Sequence, residues 1–96
     1  MAQMTIRDAL RRAMIEEMER DETVFLIGQE IGRGYEGTYG ITRGMYERFG
    51  EKRMRDTPIS EAAMGGVAVG AAMNGLRPVL EYMTVNFALL ALDAIV

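Results

Sequence analysis

Four consecutive apolar residues, Val24-Phe25-Leu26-Ile27, followed at once by Gly28, constrain the fold of this chain more than any other feature. Successive side chains of a strand point to opposite faces, so an unbroken apolar run is satisfied only where both faces are covered. Such strands belong to parallel sheets layered with helices. The flanking sequence agrees. Thr5 followed by Asp8 resembles a capping box, and Ile6, Leu10, Ala13, Met14 and Met18 recur at helical spacing, which predicts an amphipathic helix over 6–20, ended by Asp21-Glu22. Residues 29–41 read as loop, with four glycines and two tyrosines. Thr42 is expected to cap a short helix to Phe49, stopped by Gly50, and Met54 to Thr57 reads as a short strand before Pro58. A helix from Glu61 to Asn74, closed by Gly75, a third strand from Val79 to Met83 and a last helix capped by Asn86 complete the order. Strands alternating with helices predict an α/β fold with a parallel sheet.

The helix from Glu61 is unusual in composition, since Gly65, Gly66 and Gly70 lie inside it. Each helical glycine costs up to about 1 kcal/mol relative to alanine. Three of them predict close approach by another backbone or by a ligand.

Several chemistries are excluded. The chain has no cysteine and no histidine, which removes disulfides, thiolate nucleophiles, serine–histidine triads and zinc sites. Net charge is −3, and the basic cluster Lys52-Arg53-Met54-Arg55 is flanked by Glu51 and Asp56, so no nucleic-acid partner is expected. The longest uncharged run, Ala62 to Leu76, falls short of the roughly 20 residues of a membrane span, and no signal peptide is seen. The expectation is a soluble, cytoplasmic protein. At 96 residues the chain is 49% hydrophobic, and it stops inside what reads as an unfinished apolar helix. It therefore reads as part of a longer protein, either a truncated piece or one half of a split gene.

Two motifs compete for a functional reading. Gly32-Arg-Gly34-Tyr-Glu-Gly37 follows a strand, with Asp56 about twenty residues on, as a dinucleotide-binding fingerprint would have it. Against this, Gln29-Glu30-Ile31 separate the strand from the first glycine, and no periodic helix follows, so a mobile surface loop is the simpler reading. Glu61 is the second candidate, in Asp56-Thr57-Pro58-Ile59-Ser60-Glu61 at a strand-to-helix turn. A glutamate there can simply complement the helix dipole. Ahead of so apolar a helix it can also be partly buried, poised to share a proton with a ring nitrogen. Glu30 follows the first strand at the sheet edge where ligands bind in open α/β folds, although isolated loop carboxylates are commonly solvated. Met83 and Phe87, by pattern alone, are core residues.

Taken together, Phe25-Leu-Ile-Gly-Gln-Glu30, Arg43-Gly44, Phe49-Gly-Glu-Lys-Arg53, Asp56-Thr-Pro-Ile-Ser-Glu61, Val69-Gly-Ala-Ala-Met73, Gly75-Leu-Arg-Pro78, Glu81-Tyr-Met83 and Asn86-Phe87 resemble the β subunits of thiamine-diphosphate-dependent 2-oxo acid dehydrogenases, most of all those of the pyruvate dehydrogenase E1 component. The match runs nearly the whole chain, in order and at matching spacing. It implies the N-terminal part of a pyrimidine-binding, transketolase-like domain over residues 1–96, with the C-terminal domain absent.

The resemblance places the family's catalytic glutamate on Glu61, whose carboxylate hydrogen-bonds a ring nitrogen of the aminopyrimidine so that the ring can remove the thiazolium proton. It places the cofactor contacts on Glu30, Ile59, Met83 and Phe87, with Phe87 stacked on the ring. Gln29 stands where many relatives carry an acid, with little consequence expected. The implied cofactor is thiamine diphosphate, its magnesium held by an E1 α subunit in an α2β2 heterotetramer, and none by this chain. The implied substrate is a 2-oxo acid, most simply pyruvate, and the acyl group passes to the lipoyl groups of an E2 core. Branched-chain 2-oxo acid and acetoin dehydrogenase β subunits, a transketolase-like transferase and a non-catalytic remnant that binds an α-type partner remain alternatives. The 96 residues alone are expected neither to bind thiamine diphosphate tightly nor to turn over pyruvate.

Overall fold

The computed structural model describes residues 3–34, 37 and 39–96. Helix α1 (Ile6–Arg20) begins where the Thr5 hydroxyl accepts the Asp8 N–H at 3.1 Å, and an Arg12–Glu16 pair at 3.0 Å supports its outer face. Asp21 stops it and turns the chain. Its carboxylate accepts both the N–H and the hydroxyl of Thr23, at 2.9 and 2.7 Å, one residue before the first strand.

Strands β1 (Val24–Gly28), β2 (Met54–Asp56) and β3 (Arg77–Glu81) form a parallel sheet in the order β2-β1-β3. The apolar run thus occupies the central strand, the one place in a three-stranded sheet where both edges and both faces have neighbours. On one face Val24 and Leu26 pack with Met18 of α1, Met54 of β2, Ile31 and Met45 in the main core, with Met14, Ile15, Tyr46 and Phe49 around them. Each fully buried side chain of this kind stabilises by about 1.5–3 kcal/mol. The second face carries α3 (Glu61–Met73), whose Met64 and Ala68 are buried. Beside α3 a groove of about 930 Å3, lined by Phe25, Ile27, Phe49, Val67, Ala71 and Leu76, stays open. Only one face of the sheet is fully covered by these residues.

Arg53 ties the layers together. Its guanidinium donates to the carbonyls of Met18, Asp21 and Val24 at 2.6–3.1 Å and lies 5.2 Å from the centre of the Phe49 ring. The Met18 carbonyl, in the last turn of α1, is thus satisfied from outside the helix.

Four boundaries differ from the sequence reading, each for a local reason. The short helix α2 (Met45–Phe49) is preceded by Gly44 at φ 78° and not capped by Thr42, whose carbonyl accepts the Met45 N–H at 3.0 Å while its side chain is buried. β2 ends at Asp56: the Thr57 N–H gives the last bond of the ladder, to the Gly28 carbonyl at 2.9 Å, and Pro58 has no N–H to extend it. β3 lies two residues earlier than expected and contains Pro78. As an edge strand paired with β1 alone it tolerates a residue without an N–H. After β3 the chain forms a 3₁₀ helix, Val85–Ala91, followed by α4 (Leu92–Ile95). Asn86 does not cap an α-helix there, since its side-chain oxygen is engaged by the Thr84 hydroxyl.

Gly65 shows what one of the three helical glycines is for. A Cβ at this position would meet the Ala91 Cβ at 3.1 Å and the Tyr82 hydroxyl at 3.3 Å, so α3 can approach the C-terminal segment only with glycine here. Gly66 and Gly70 face open space among the described residues.

Candidate functional site

All three strands run in the same direction, so their C-terminal ends form one edge. From β1 the chain crosses to β2 on one side, and β3 lies on the other, which makes the end of β1 a topological switch point of the sheet. In register, Gly28 sits between Asp56 and Glu81. A side chain at Gly28 would stand 3.0 Å from the Glu81 Cβ and Oε2, so the glycine lets the Glu81 carboxyl fold over the strand end.

Beyond Gly28 come Gln29 and Glu30. Gln29 is only 4% exposed, although it is polar. Its Nε2 lies 3.3 Å from Glu61 Oε1 and 3.3 Å from Met64 Sδ. Both neighbours are acceptors, so the NH2 end of the amide must face them. Glu30 adopts φ 57°, a left-handed conformation uncommon for a residue with a Cβ, and its carbonyl accepts the Gly37 N–H at 2.9 Å. Strain at the ligand-binding edge of an α/β sheet marks a place where geometry is held for a purpose.

Glu61 is the first residue of α3, where the free amides and dipole of a thirteen-residue helix favour a negative charge. Ser60 holds the N-cap position without a capping hydrogen bond. At the end of β3 two further groups are partly withdrawn from water. The Tyr82 phenol is pushed above its usual range by burial and, secondarily, by the charge of Glu61. The Glu81 carboxyl is likewise raised, first by burial and then by Glu30. Tyr82 Oη and Glu81 Oε2 are both buried without a hydrogen-bond partner among the described residues. An orphaned buried polar atom calls for an explanation, and two of them on adjacent residues place an unmet polar demand at this edge.

The sheet edge therefore brings Gln29 and Tyr82 to Glu61, and Glu30 to Glu81, as two pairings at the ends of β1 and β3. The other expected contacts are more peripheral. Ile59 is 76% exposed in the turn before α3, Met83 follows β3 half-buried, and Phe87 is 38% exposed in the 3₁₀ segment. Sequence reasoning passed over Tyr82 and Glu81 and gave Gln29 no consequence. No local signal marked them, because Glu81 and Tyr82 fell inside the strand expected over 79–83, whereas β3 ends at Glu81, and the burial of Gln29 and of the Tyr82 hydroxyl is set by tertiary packing. The described residues of the glycine-rich loop do not have the geometry of a dinucleotide fingerprint. No helix opens across its described residues, and Asp56 is used to accept the Ile31 N–H at 3.0 Å. Tyr35, Glu36 and Thr38, on which part of the mobile-loop reading fell, lie outside the described residues.

Comparison with known proteins bears on this arrangement directly. The profile of the family described as "Transketolase, pyrimidine binding domain" matches residues 2–96. The chain is 52% identical over 94 residues to the mitochondrial pyruvate dehydrogenase E1 component subunit beta of Homo sapiens, covering 98% of this chain and 26% of that protein. It is 56% identical over 94 residues to the pyruvate dehydrogenase E1 component subunit beta of Rickettsia conorii, covering 98% of this chain and 28% of that one. To the protein of the same name from Rhizobium meliloti it is 53% identical over 96 residues, covering all of this chain and 21% of the relative. The chain thus spans about a quarter of the length of the relatives it matches. No helix among the described residues is long and apolar enough to cross a membrane. With a parallel α/β sheet, a carboxylate at the start of the helix after β2 and a family match from end to end, the chain belongs to the transketolase pyrimidine-binding-domain family.

Proposed function

We propose that residues 1–96 are the N-terminal part of the pyrimidine-binding domain of a pyruvate dehydrogenase E1 β subunit, and that Glu61 is the carboxylate that meets the aminopyrimidine of thiamine diphosphate. The observation that carries this reading is the position of Glu61. It stands at a helix N-terminus over the C-terminal edge of a parallel sheet, with the Gln29 amide on one of its oxygens. The donor set fits the ring. A carboxylate can hydrogen-bond a ring nitrogen and exchange a proton with it, and the Tyr82 Oη, unpartnered among the described residues, adds a polar atom whose environment feels the Glu61 charge. Ile59, Met83 and Phe87 offer apolar surface on either side of that edge, and Glu30 a second carboxylate. When bound, the cofactor supplies the electron sink that lets a 2-oxo acid lose carbon dioxide.

Within this reading an α-type subunit holds the diphosphate and its magnesium, and pyruvate is the substrate, as the names of the relatives support. The acyl group then passes to the lipoyl groups of an E2 partner. A carboxylate aligned on a ring nitrogen contributes through proton transfer, typically worth about 10²–10⁴-fold in rate. The test uses the full-length β chain assembled with its α partner and assays thiamine-diphosphate-dependent decarboxylation of pyruvate. Glu61→Gln, which keeps the shape and removes the charge, should lower the rate by about 10²–10⁴-fold with assembly unchanged. Near-normal activity in the variant would reduce Glu61 to a helix-start residue.

A further inference from the structure

The left-handed backbone of Glu30 is held from a strand that is distant in sequence. Parallel register sets Asp56, the last residue of β2, opposite Gly28, so the chain leaving β1 passes beside the Asp56 side chain. Asp56 Oδ1 accepts the Ile31 N–H at 3.0 Å, and the Glu30 carbonyl accepts the Gly37 N–H at 2.9 Å. That N–H and that carbonyl belong to one planar peptide group, the one joining Glu30 to Ile31, which is therefore gripped at both ends. The Ile31 side chain, buried in the main core, fixes the chain just beyond it. A residue with a Cβ keeps a left-handed conformation only where its surroundings over-determine it, and these contacts supply the constraint. Gly32 makes the approach feasible, since a Cβ there would meet the Asp56 Cβ at 2.8 Å.

We propose that Asp56 is a positioning residue for Glu30: by holding the Ile31 N–H it orients the Glu30–Ile31 peptide group, and so aims the Glu30 side chain along the C-terminal edge of the sheet where the cofactor binds. This rests on the reading of Glu30 as a cofactor contact given above. Asp56 itself touches no cofactor in this account and acts through the backbone of the neighbouring strand end. What the position requires is an acceptor for one N–H, a task that an amide oxygen performs as well as a carboxylate oxygen. Without that acceptor the peptide group keeps only its bond to Gly37, and the strained backbone at Glu30 is free to relax toward the commoner negative-φ regions.

The experiment is a double-mutant cycle of Asp56→Ala and Glu30→Ala, read as thiamine diphosphate affinity by calorimetry on the full-length β chain assembled with its α partner. Asp56 is exposed, so its truncation leaves no cavity in the core. Glu30→Ala should weaken binding by about 10- to 100-fold, the range for a hydrogen bond to a charged group. Asp56→Ala should weaken it by about 3- to 30-fold alone, and by no more than about twofold once Glu30 is alanine, because its effect passes through Glu30. Asp56→Asn keeps an acceptor and should bind within about twofold of wild type. A merely structural role leaves Asp56→Ala a loss above about twofold in the Glu30→Ala background, and that result overturns the inference. A loss in Asp56→Asn equal to that in Asp56→Ala overturns it too. Should Asp56→Ala fail to assemble, Gly32→Ala takes its place in the cycle, since the added Cβ forces the loop and the Asp56 side chain apart. If Glu30→Ala weakens binding and Asp56→Ala does not, only the positioning role fails. If Glu30→Ala binds as wild type does, the reading of Glu30 fails and this role with it, while Glu61→Gln tests Glu61 independently.

Discussion

The amide of Gln29 donates to the carboxylate of Glu61 at 3.3 Å across 32 residues of sequence. This contact joins the end of the central strand to the first turn of α3, two elements that the chain reaches from opposite sides of β2. It also places a neutral donor on the carboxylate proposed to meet the cofactor. The surrounding residues divide into those that hold this edge and those that strain it, and they respond to substitution in different ways.

Glycine in α3 serves two different purposes. At Gly65 a side chain would press on Ala91, Ala94 and the Tyr82 hydroxyl, whereas Gly66 has open space around it. Gly65→Val should destabilise the 96-residue chain by about 1–3 kcal/mol through overpacking. Gly66→Ala should stabilise it by up to about 1 kcal/mol through helix propensity. Urea midpoints at constant slope would show the two shifts in opposite directions.

Arg53 satisfies three carbonyls at the junction of α1 and β1. Arg53→Met keeps apolar contact with Phe49 but removes the donor to the Met18 and Val24 carbonyls, while the Asp21 carbonyl keeps the Val24 N–H, and should cost about 2–4 kcal/mol. Arg53→Lys should recover only a minor part, because an ammonium cannot span the fork of a guanidinium. Equal stability of the lysine variant and wild type in thermal unfolding would contradict this account.

Glu30 holds φ 57° at the sheet edge, a conformation that costs a residue with a Cβ about 1–2 kcal/mol. Glu30→Gly should relieve this and also remove the charge that faces Glu81. The variant should unfold at higher denaturant than wild type. In the assembled protein it should bind thiamine diphosphate more weakly, a gain in stability at the expense of function. Raised affinity together with raised stability would remove Glu30 from the site.

The pH dependence of stability follows from two opposing sets of groups. Burial, then Glu30, raises the Glu81 carboxyl above its ordinary 4.5. The folded chain thus binds this proton more tightly than the unfolded one. That contribution is complete below 4.5 and is lost as pH rises through the folded value. Hydrogen bonds from Thr5 and Thr23 lower Asp8 and Asp21 below 3.8, so their contribution is present above 3.8 and lost as pH falls. Stability should therefore peak in the weakly acidic range and decline toward neutral pH, and Glu81→Gln should abolish the neutral-side decline alone. Urea titrations from about pH 3 to about pH 8 would show a wild-type decline that the variant lacks; identical profiles would mean the Glu81 carboxyl is not held as described.

Much of this molecule is written locally. The unbroken apolar run of Val24 to Ile27 demanded a central parallel strand because period-two side chains need cover on both faces, and Thr5, Asp21 and Gly50 marked helix ends by satisfying or releasing backbone groups next to them in the chain. Glu61 was also legible, since its strand-to-helix turn and its family motif are contiguous in sequence. What the tertiary structure alone decided is which distant groups meet. Gln29 and Glu61, Glu30 and Glu81, and Tyr82 and Gly65 are brought together by sheet register and by the crossing of α3, which no local pattern encodes. Pro78 makes the same point at the scale of one residue. Read along the chain it stands just before a strand, but placed on an edge with no hydrogen-bonding neighbour beyond it among the described residues, it belongs to one. Propensity acts between neighbours in sequence, while burial and pairing act between neighbours in space, and the candidate site is built from the second kind.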